Sequence, residues 1–341
     1  MAGNSTHHFT NTAVLAVERC EATEVVPSRS FDRRLADTYR RARLRGGMLE
    51  NLVGVRERRW WDEGTTFTDG AADAGRAALW ASGVAAADIG LMINTSVSRH
   101  WLEPATSVVV HDAIGLSTSC QNFDITNACL GFLNGIEVAG AMIDAGLVDY
   151  ALVVDGEDSR RLQETTLERL AGPTTTAAEV MAEFAALTLG SGAVAMVLGP
   201  ADRHPEGHRV VAAASRAGTE HHALCVGDDD HMLTDLRGLL DAGLDLSQAL
   251  WEDAAAEFDW GEGMARYFIH QVSQVHTDAI CQRLEIDPAL VPRTFPTFGN
   301  IGPASVVFTL AGEQASLERG DRILMMGIGS GLNACCLAID W

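Results

Sequence analysis

Lysine is absent from this 341-residue chain: all 25 of its basic residues are arginine, against 46 aspartates and glutamates, for a formal charge of −21. So large an acidic excess excludes a general nucleic-acid or anionic-membrane surface, leaving only a local basic patch to receive an anionic ligand. Long apolar runs are missing too. No stretch approaches the roughly 18 residues of a membrane span. The N-terminal MAGNSTHHFTNTAV lacks a basic region followed by an apolar one, so a cytoplasmic location is expected. The seven cysteines lack the regular spacing of a disulfide framework, and Cys335 and Cys336 adjoin, which fits a reducing compartment. Apolar content, by contrast, is 47%, ample for one large domain or two of ordinary size.

Alternating strand and helix patterns predict an α/β protein. Strands are expected at 12–17, 89–94, 123–125, 150–155, 188–199 and from 209, and helices at 31–51 and 69–83. A polar helical stretch at about 159–186, broken at AGPTTTAAE, reads as an insertion over the core. ADRHPEGH at 201–208 marks a link, giving a first half of 1–200 and a second of 201–341. The second half repeats the plan, with helices through about 257, a strand at 267–269 ending in His270, and the strand 323–326 running into GIGSGLN. In GVRERRWWDEG, Arg56, Arg58 and Arg59, with Arg45 upstream, lie near Trp60 and Trp61. They read either as a nucleotide site, by phosphate contact and ring stacking, or as an exposed interface loop.

The stretch DITNACLGFLNGIEVAGAMI places Cys129 where a strand turns into a buried helix. A sulfur there lies near free N–H groups and the positive end of the helix dipole, which favour thiolate over thiol. Cys129, His270 and Asn300 each fall at the end of a strand or in the loop after it, the edge where open α/β sheets gather their sites. Cys, His, Asn is also the papain order, but NACLG is not the papain signature, and a long α/β segment precedes it. HHALC (His221, His222, Cys225) has no second ligand pair at metal-site spacing. GIGSGLN has neither the P-loop lysine nor the position of a Rossmann fingerprint, and Asp228 to Asp230 read as a solvated loop.

These residues together resemble the thiolase superfamily of condensing enzymes. DITNACLGFLNG is similar to the nucleophile motif of the ketosynthase III type, IHQVSQVHTDAI to its His motif, FGNIGPASV to its Asn motif and GIGSGLN to its C-terminal glycine loop. INTSVSRHWLEP, YALVVDGE, ALTLGSGA and HQVS resemble the OleA type, which joins two fatty acyl-CoA chains head to head. The resemblance runs from about residue 50 to the C-terminus. It implies the thiolase fold, two related α/β halves in a five-layered αβαβα core, and a homodimer.

Condensing two thioesters requires a nucleophile for one acyl group, a base for the α-proton of the other, and donors for two oxyanions. The resemblance assigns the first to Cys129, whose backbone N–H and that of Ser330 form one oxyanion site. His270 and Asn300 are donors for the second, and His270 also draws the thiol proton. Glu103, 26 residues before Cys129 in the matching LEP motif, is the base, which in the family reaches the partner's site across the dimer interface. Its bland alternative is a solvated loop glutamate. The chain departs from its relatives where Phe298 stands for their usual His, and the Arg/Trp cluster lacks a clean match to an adenine site.

The expected activity is non-decarboxylative Claisen condensation of two long-chain acyl-CoAs through an acyl-cysteine, with CoA thioesters as substrates and no other cofactor or metal. Two alternatives stand: decarboxylative condensation with malonyl-ACP, and a tunnel-shaping partner of an active paralogue in a heterodimer. Retention of Cys129, Glu103, His270 and Asn300 in one chain weighs against a silent partner.

Overall fold

The computed structural model describes residues 6–341. Nine strands form most of one sheet: β1 (Thr12–Glu21), β2 (Ile89–Asn94), β3 (Gln121–Asp124), β4 (Tyr150–Glu157), β5 (Gly192–Pro200), β6 (His208–Ala217), β7 (Met264–Ile269), β8 (Arg322–Gly329) and β9 (Asn333–Asp340). Their order is β7-β8-β9-β6-β1-β5-β4-β2-β3, with the short Thr6–His8 paired on β6. The two halves of the sheet are stitched at Ala13–Arg209 and Val14–His208, where β1 meets β6 antiparallel. β2 runs parallel to both β3 and β4, and β7 parallel to β8. Their C-terminal ends carry Asn94, Asp124 and Glu157, and lead directly into His270 and Ser330.

The apolar strands are covered on both faces, as their near-continuous hydrophobic runs require. Helix α1 (Phe67–Ser82) covers the outer face of the first half, starting at a capping box in which Thr66 and Asp69 satisfy each other. Helix α2 (Thr106–Ile114) flanks it. The outer face of the second half is covered by α4 (Leu236–Phe258) and α5 (Gln274–Arg283). Between the half-sheets, α3 (Gly131–Asp144) and α6 (Ser305–Glu313) bury Phe132, Leu133, Ile136, Val307, Phe308 and Leu310 against Val153, Met196, Met325 and Leu337. Helices outside, half-sheets next and two helices in the middle make the five-layered α/β order expected from the sequence.

Two local expectations fail. The helix read at 31–51 is broken into Ser28–Arg34 and Ala36–Ala42, with Phe31, Leu35 and Tyr39 on one satellite core across the break. The helix expected throughout the segment before 257 begins only at Leu236; ahead of it lies a hairpin, Cys225–Gly227 paired with Met232–Thr234, with the Asp228–Asp230 turn at its tip. The loop read of those aspartates holds, with additional contacts: Asp228 accepts N–H bonds from Asp230 and His231, and Asp230 pairs with Arg161. No helix among the described residues is long and apolar enough to cross a membrane.

Candidate active site

The chain leaves β3 at Asp124 and reaches α3 through a tight elbow in which Ala128 takes a left-handed φ of 45°, a rare conformation for a residue with a Cβ. Gly131 lets the helix start press against the end of β2, since a Cβ there would lie 2.8 Å from the Thr95 carbonyl oxygen. The C-terminal glycine loop reaches the same elbow. A Cβ on Gly327 would fall 2.5 Å from Leu130, and one on Gly329 only 3.4 Å from the Cys129 nitrogen and 3.1 Å from the Asn127 carbonyl. The glycines therefore let the backbone at Gly329, one residue before Ser330, close on the Cys129 elbow.

The electrostatics of Cys129 differ from the sequence expectation. Burial, with Cys225, Glu157 and Asp155 nearby, pushes its thiol up to about 12, against a small opposing bond from its own N–H. A helix end contributes roughly 0.3–1 kcal/mol, less than the roughly 1.4 kcal/mol that moves a pKa by one, so burial wins over the dipole. The resting nucleophile is a thiol. Burial, reinforced by His276, lowers His270 to about 3, so its imidazole is neutral and able to accept a proton.

His270 is fixed by its backbone, whose N–H donates to the Met326 carbonyl at 2.8 Å, and its Nδ1 is buried without a partner among the described residues. It shares a small cavity with His276, Ser247, Leu250 and Ile280. Asn300 is clasped between Thr188 and Gly190: its N–H donates to Thr188 and its carbonyl accepts from Gly190, both at 2.9 Å. Its side-chain oxygen accepts from Gly302 N–H (3.0 Å) and Ser305 O–H (3.2 Å), leaving the Nδ2 amide without a partner among the described residues and available as a donor.

Glu103 differs from the buried His270 and Asn300: it is exposed, in a loop with Trp101 57% and Leu102 92% exposed. Two residues after Pro104, α2 begins at Thr106, where the Asp124 carboxylate accepts the N–H groups of Thr106 and Ser107 at 2.9 and 2.8 Å. For Arg58, Trp60 and Trp61 both the nucleotide reading and the exposed-loop reading fail, while Arg45 and Arg56 stay exposed. The strand Glu57–Trp60 pairs with Glu24–Pro27 and turns Arg58 inward, beneath Phe31 and onto the carbonyls of Val26 and Leu187. Both tryptophans are buried, their indole N–H groups given to Gln163 and to the Glu157 carbonyl.

Two models of 3-oxoacyl-[acyl-carrier-protein] synthase III match the chain, one at residues 123–219 and its C-terminal part at 261–341. An acyl-CoA:acyl-CoA alkyltransferase of Xanthomonas campestris is 41% identical over 98% of this chain and 99% of its own. The chain belongs to this family. The alkyltransferase of Shewanella oneidensis is 34% identical over 94% of the chain and 96% of its own. The crystal structure of cerulenin-bound Xanthomonas OleA superposes with a TM-score of 0.96 at 41% identity, over 98% of each chain. A Cys-to-Ser variant of that enzyme, with bound lauric acid and lauroyl-CoA, gives 0.95 at 40% identity over 98% and 100%.

Within this alkyltransferase fold Phe298, standing where ketosynthase III relatives usually carry His, is absorbed by packing. Its ring meets Phe308 edge-on at 5.0 Å, and the Arg59 guanidinium lies 5.0 Å from its centroid. Sequence reasoning passed over Asp155, Glu157 and His276. The signal for the first two was present, since VVDGE sets two acids in an otherwise apolar strand. It also missed which arginines stay free: Arg29, Arg33, Arg34, Arg43, Arg45 and Arg56 are exposed and their guanidinium groups meet no partner among the described residues.

Proposed function

We propose that this alkyltransferase joins two long-chain acyl-CoAs by non-decarboxylative Claisen condensation, with Cys129, His270, Asn300, Ser330 and Glu103 in the roles their positions allow. The Cys129 sulfur attacks the first thioester as its proton passes to neutral His270, forming acyl-Cys129 and releasing CoA thiol. Glu103 of a second copy removes the α-proton of the second acyl-CoA, and the carbanion attacks the acyl-Cys129 carbonyl. The C–S bond breaks, the sulfur regains its proton, and a 2-alkyl-3-ketoacyl thioester results, whose hydrolysis gives the β-keto acid. The N–H groups of Cys129 and Ser330 serve one oxyanion, and His270 with the Asn300 amide serves the other.

The full-length match to acyl-CoA:acyl-CoA alkyltransferases supports this reading most. A dimer is supported by the exposed apolar side chains Val97, Trp101, Leu102 and Val108 around Glu103, beside the sheet-edge strand β3. The unpartnered arginines offer the anionic end of CoA a landing in an acidic protein. We place the reaction in the cytoplasm, in keeping with seven free cysteines.

Mass spectrometry after incubation with myristoyl-CoA alone tests the proposal. The β-keto acid built from two myristoyl chains, or the ketone it decarboxylates to, is the expected product. Turnover only after malonyl-ACP is added would replace this reading with the decarboxylative one.

A further inference from the structure

The loop between Asn94 and α2 carries Glu103 at its exposed tip but is held at both ends by carboxylates that the reaction itself does not use. At its start, Glu157 Oε1 accepts the Val97 N–H at 2.6 Å, while Oε2 accepts the N–H and O–H of Ser98 at 3.1 and 2.5 Å. At its end, Asp124 Oδ1 accepts from Ser107 N–H and Asn94 Nδ2, and Oδ2 from Thr106 N–H and the Arg99 guanidinium. Between these clamps Trp101, Leu102, Glu103 and Pro104 are all exposed, and the ring contacts run from buried Phe67 through His100 only as far as Trp101. We propose that Glu157 and Asp124 are positioning residues for Glu103, required for condensation and not for acylation of Cys129. This rests on the reading of Glu103 as the base.

All four carboxylate oxygens accept from donors, so an amide in place of either acid must turn an NH2 group toward an N–H or O–H. Proton abstraction demands a base within hydrogen-bond reach of its target, and a misplacement of about 1 Å costs about 100-fold. The Glu157 clamp also responds to pH. Burial pushes its carboxyl up to about 7 against the bonds from Ser98 and Val97, and Asp158 adds to the rise. Asp155, beside it on β4, is pushed well above the usual carboxylate range by burial and by Glu157 itself, and Cys129 faces both as a thiol. Below about pH 7 Glu157 therefore takes a proton, one oxygen stops accepting, and the start of the loop is released.

The experiment measures, with purified protein and myristoyl-CoA, acyl-Cys129 formation by intact mass and condensed product by mass spectrometry, from about pH 6 to pH 8. Glu157→Gln, Asp124→Asn and Glu103→Ala are run beside wild type. The expected result is acylation within about twofold of wild type in D124N, a condensation-to-acylation ratio lower by about 10- to 100-fold in both D124N and E157Q, and a wild-type ratio that falls through pH 7 but is flat in E157Q. If E103A loses condensation while D124N condenses normally and the wild-type ratio ignores pH, the positioning inference is overturned and the base reading stands. If E103A itself condenses normally, the base reading has failed instead, and the inference with it. Should E157Q not fold, D124N and the wild-type pH profile carry the same decision.

Discussion

His270 and Asn300 are interior and held by main-chain bonds from other segments, and Cys129 sits in the elbow on which Gly329 closes, whereas the loop that bears Glu103 ends in solvent beside an exposed tryptophan and leucine. The difference separates the two half-reactions. On the proposed mechanism, acyl transfer draws on Cys129, His270 and Asn300, and deprotonation on the exposed Glu103. On that view the isolated chain is complete for the first step and incomplete for the second.

The largest effect that bears on this contrast is at the nucleophile. Cys129→Ser should abolish the single acyl mass that wild type gains from myristoyl-CoA; acylation persisting on another cysteine would remove the buried region from the chemistry. Next comes the exposed side: Glu103→Ala should acylate normally and lose condensation. Mixing the two inactive variants sharpens the point, because a mixed dimer pairs an intact Cys129 with an intact Glu103 from the other chain. Condensation should return on mixing, and its absence after verified subunit exchange would place Glu103 in its own chain's site.

A smaller loss is expected within the buried region. Asn300→Ala removes one oxyanion donor, typically worth about 2.7–4 kcal/mol, so condensation should slow by roughly two to three orders of magnitude. Near-normal rates in a folded variant would take Asn300 out of the mechanism. The pH behaviour of acylation should be the reverse of the thiolate expectation. With Cys129 near 12 and His270 near 3, neither group changes charge between about pH 5 and pH 9. Single-turnover acylation should be level across that range, and a tenfold rise per pH unit would mean that a pre-formed thiolate is the nucleophile.

How much of this was legible in the sequence follows the same division. The strand ends and loops that carry Cys129, His270 and Asn300 were legible as such, and the apolar runs at 89–94, 150–155 and 323–326 announced buried strands, which the structure pairs in parallel. The state of Cys129 was not readable. It is set by burial first, and then by Cys225, Glu157 and Asp155 from other parts of the chain, and a local argument from the helix end gives the wrong sign. Arg58 misled for a similar reason: a guanidinium next to two tryptophans looks like a ligand site until Phe31, Val26 and Leu187 close over it. The hairpin at 225–234 was hidden because its strands are three residues long, too short for a period to show.

The smallest expected effect lies on the surface, where the arginines left over from that misreading stay exposed. Ten of the 25 arginines fall between residues 29 and 59, with only Asp32, Asp37, Glu50 and Glu57 among them, so this stretch is basic in a chain of net charge −21. Arg33 and Arg34, at the end of the helix Ser28–Arg34, are exposed and without partners among the described residues. Contact between a solvated arginine and a CoA phosphate is screened and contributes on the order of 0.2–1 kcal/mol. Arg33→Ala and Arg34→Ala should therefore each raise KM for myristoyl-CoA by no more than about fivefold, leave kcat unchanged because the contact is the same in ground and transition states, and lose their effect at high salt. A KM that matches wild type at low ionic strength in the double variant would show that CoA lands elsewhere, and a fall in kcat would show that this helix supports the acyl site directly.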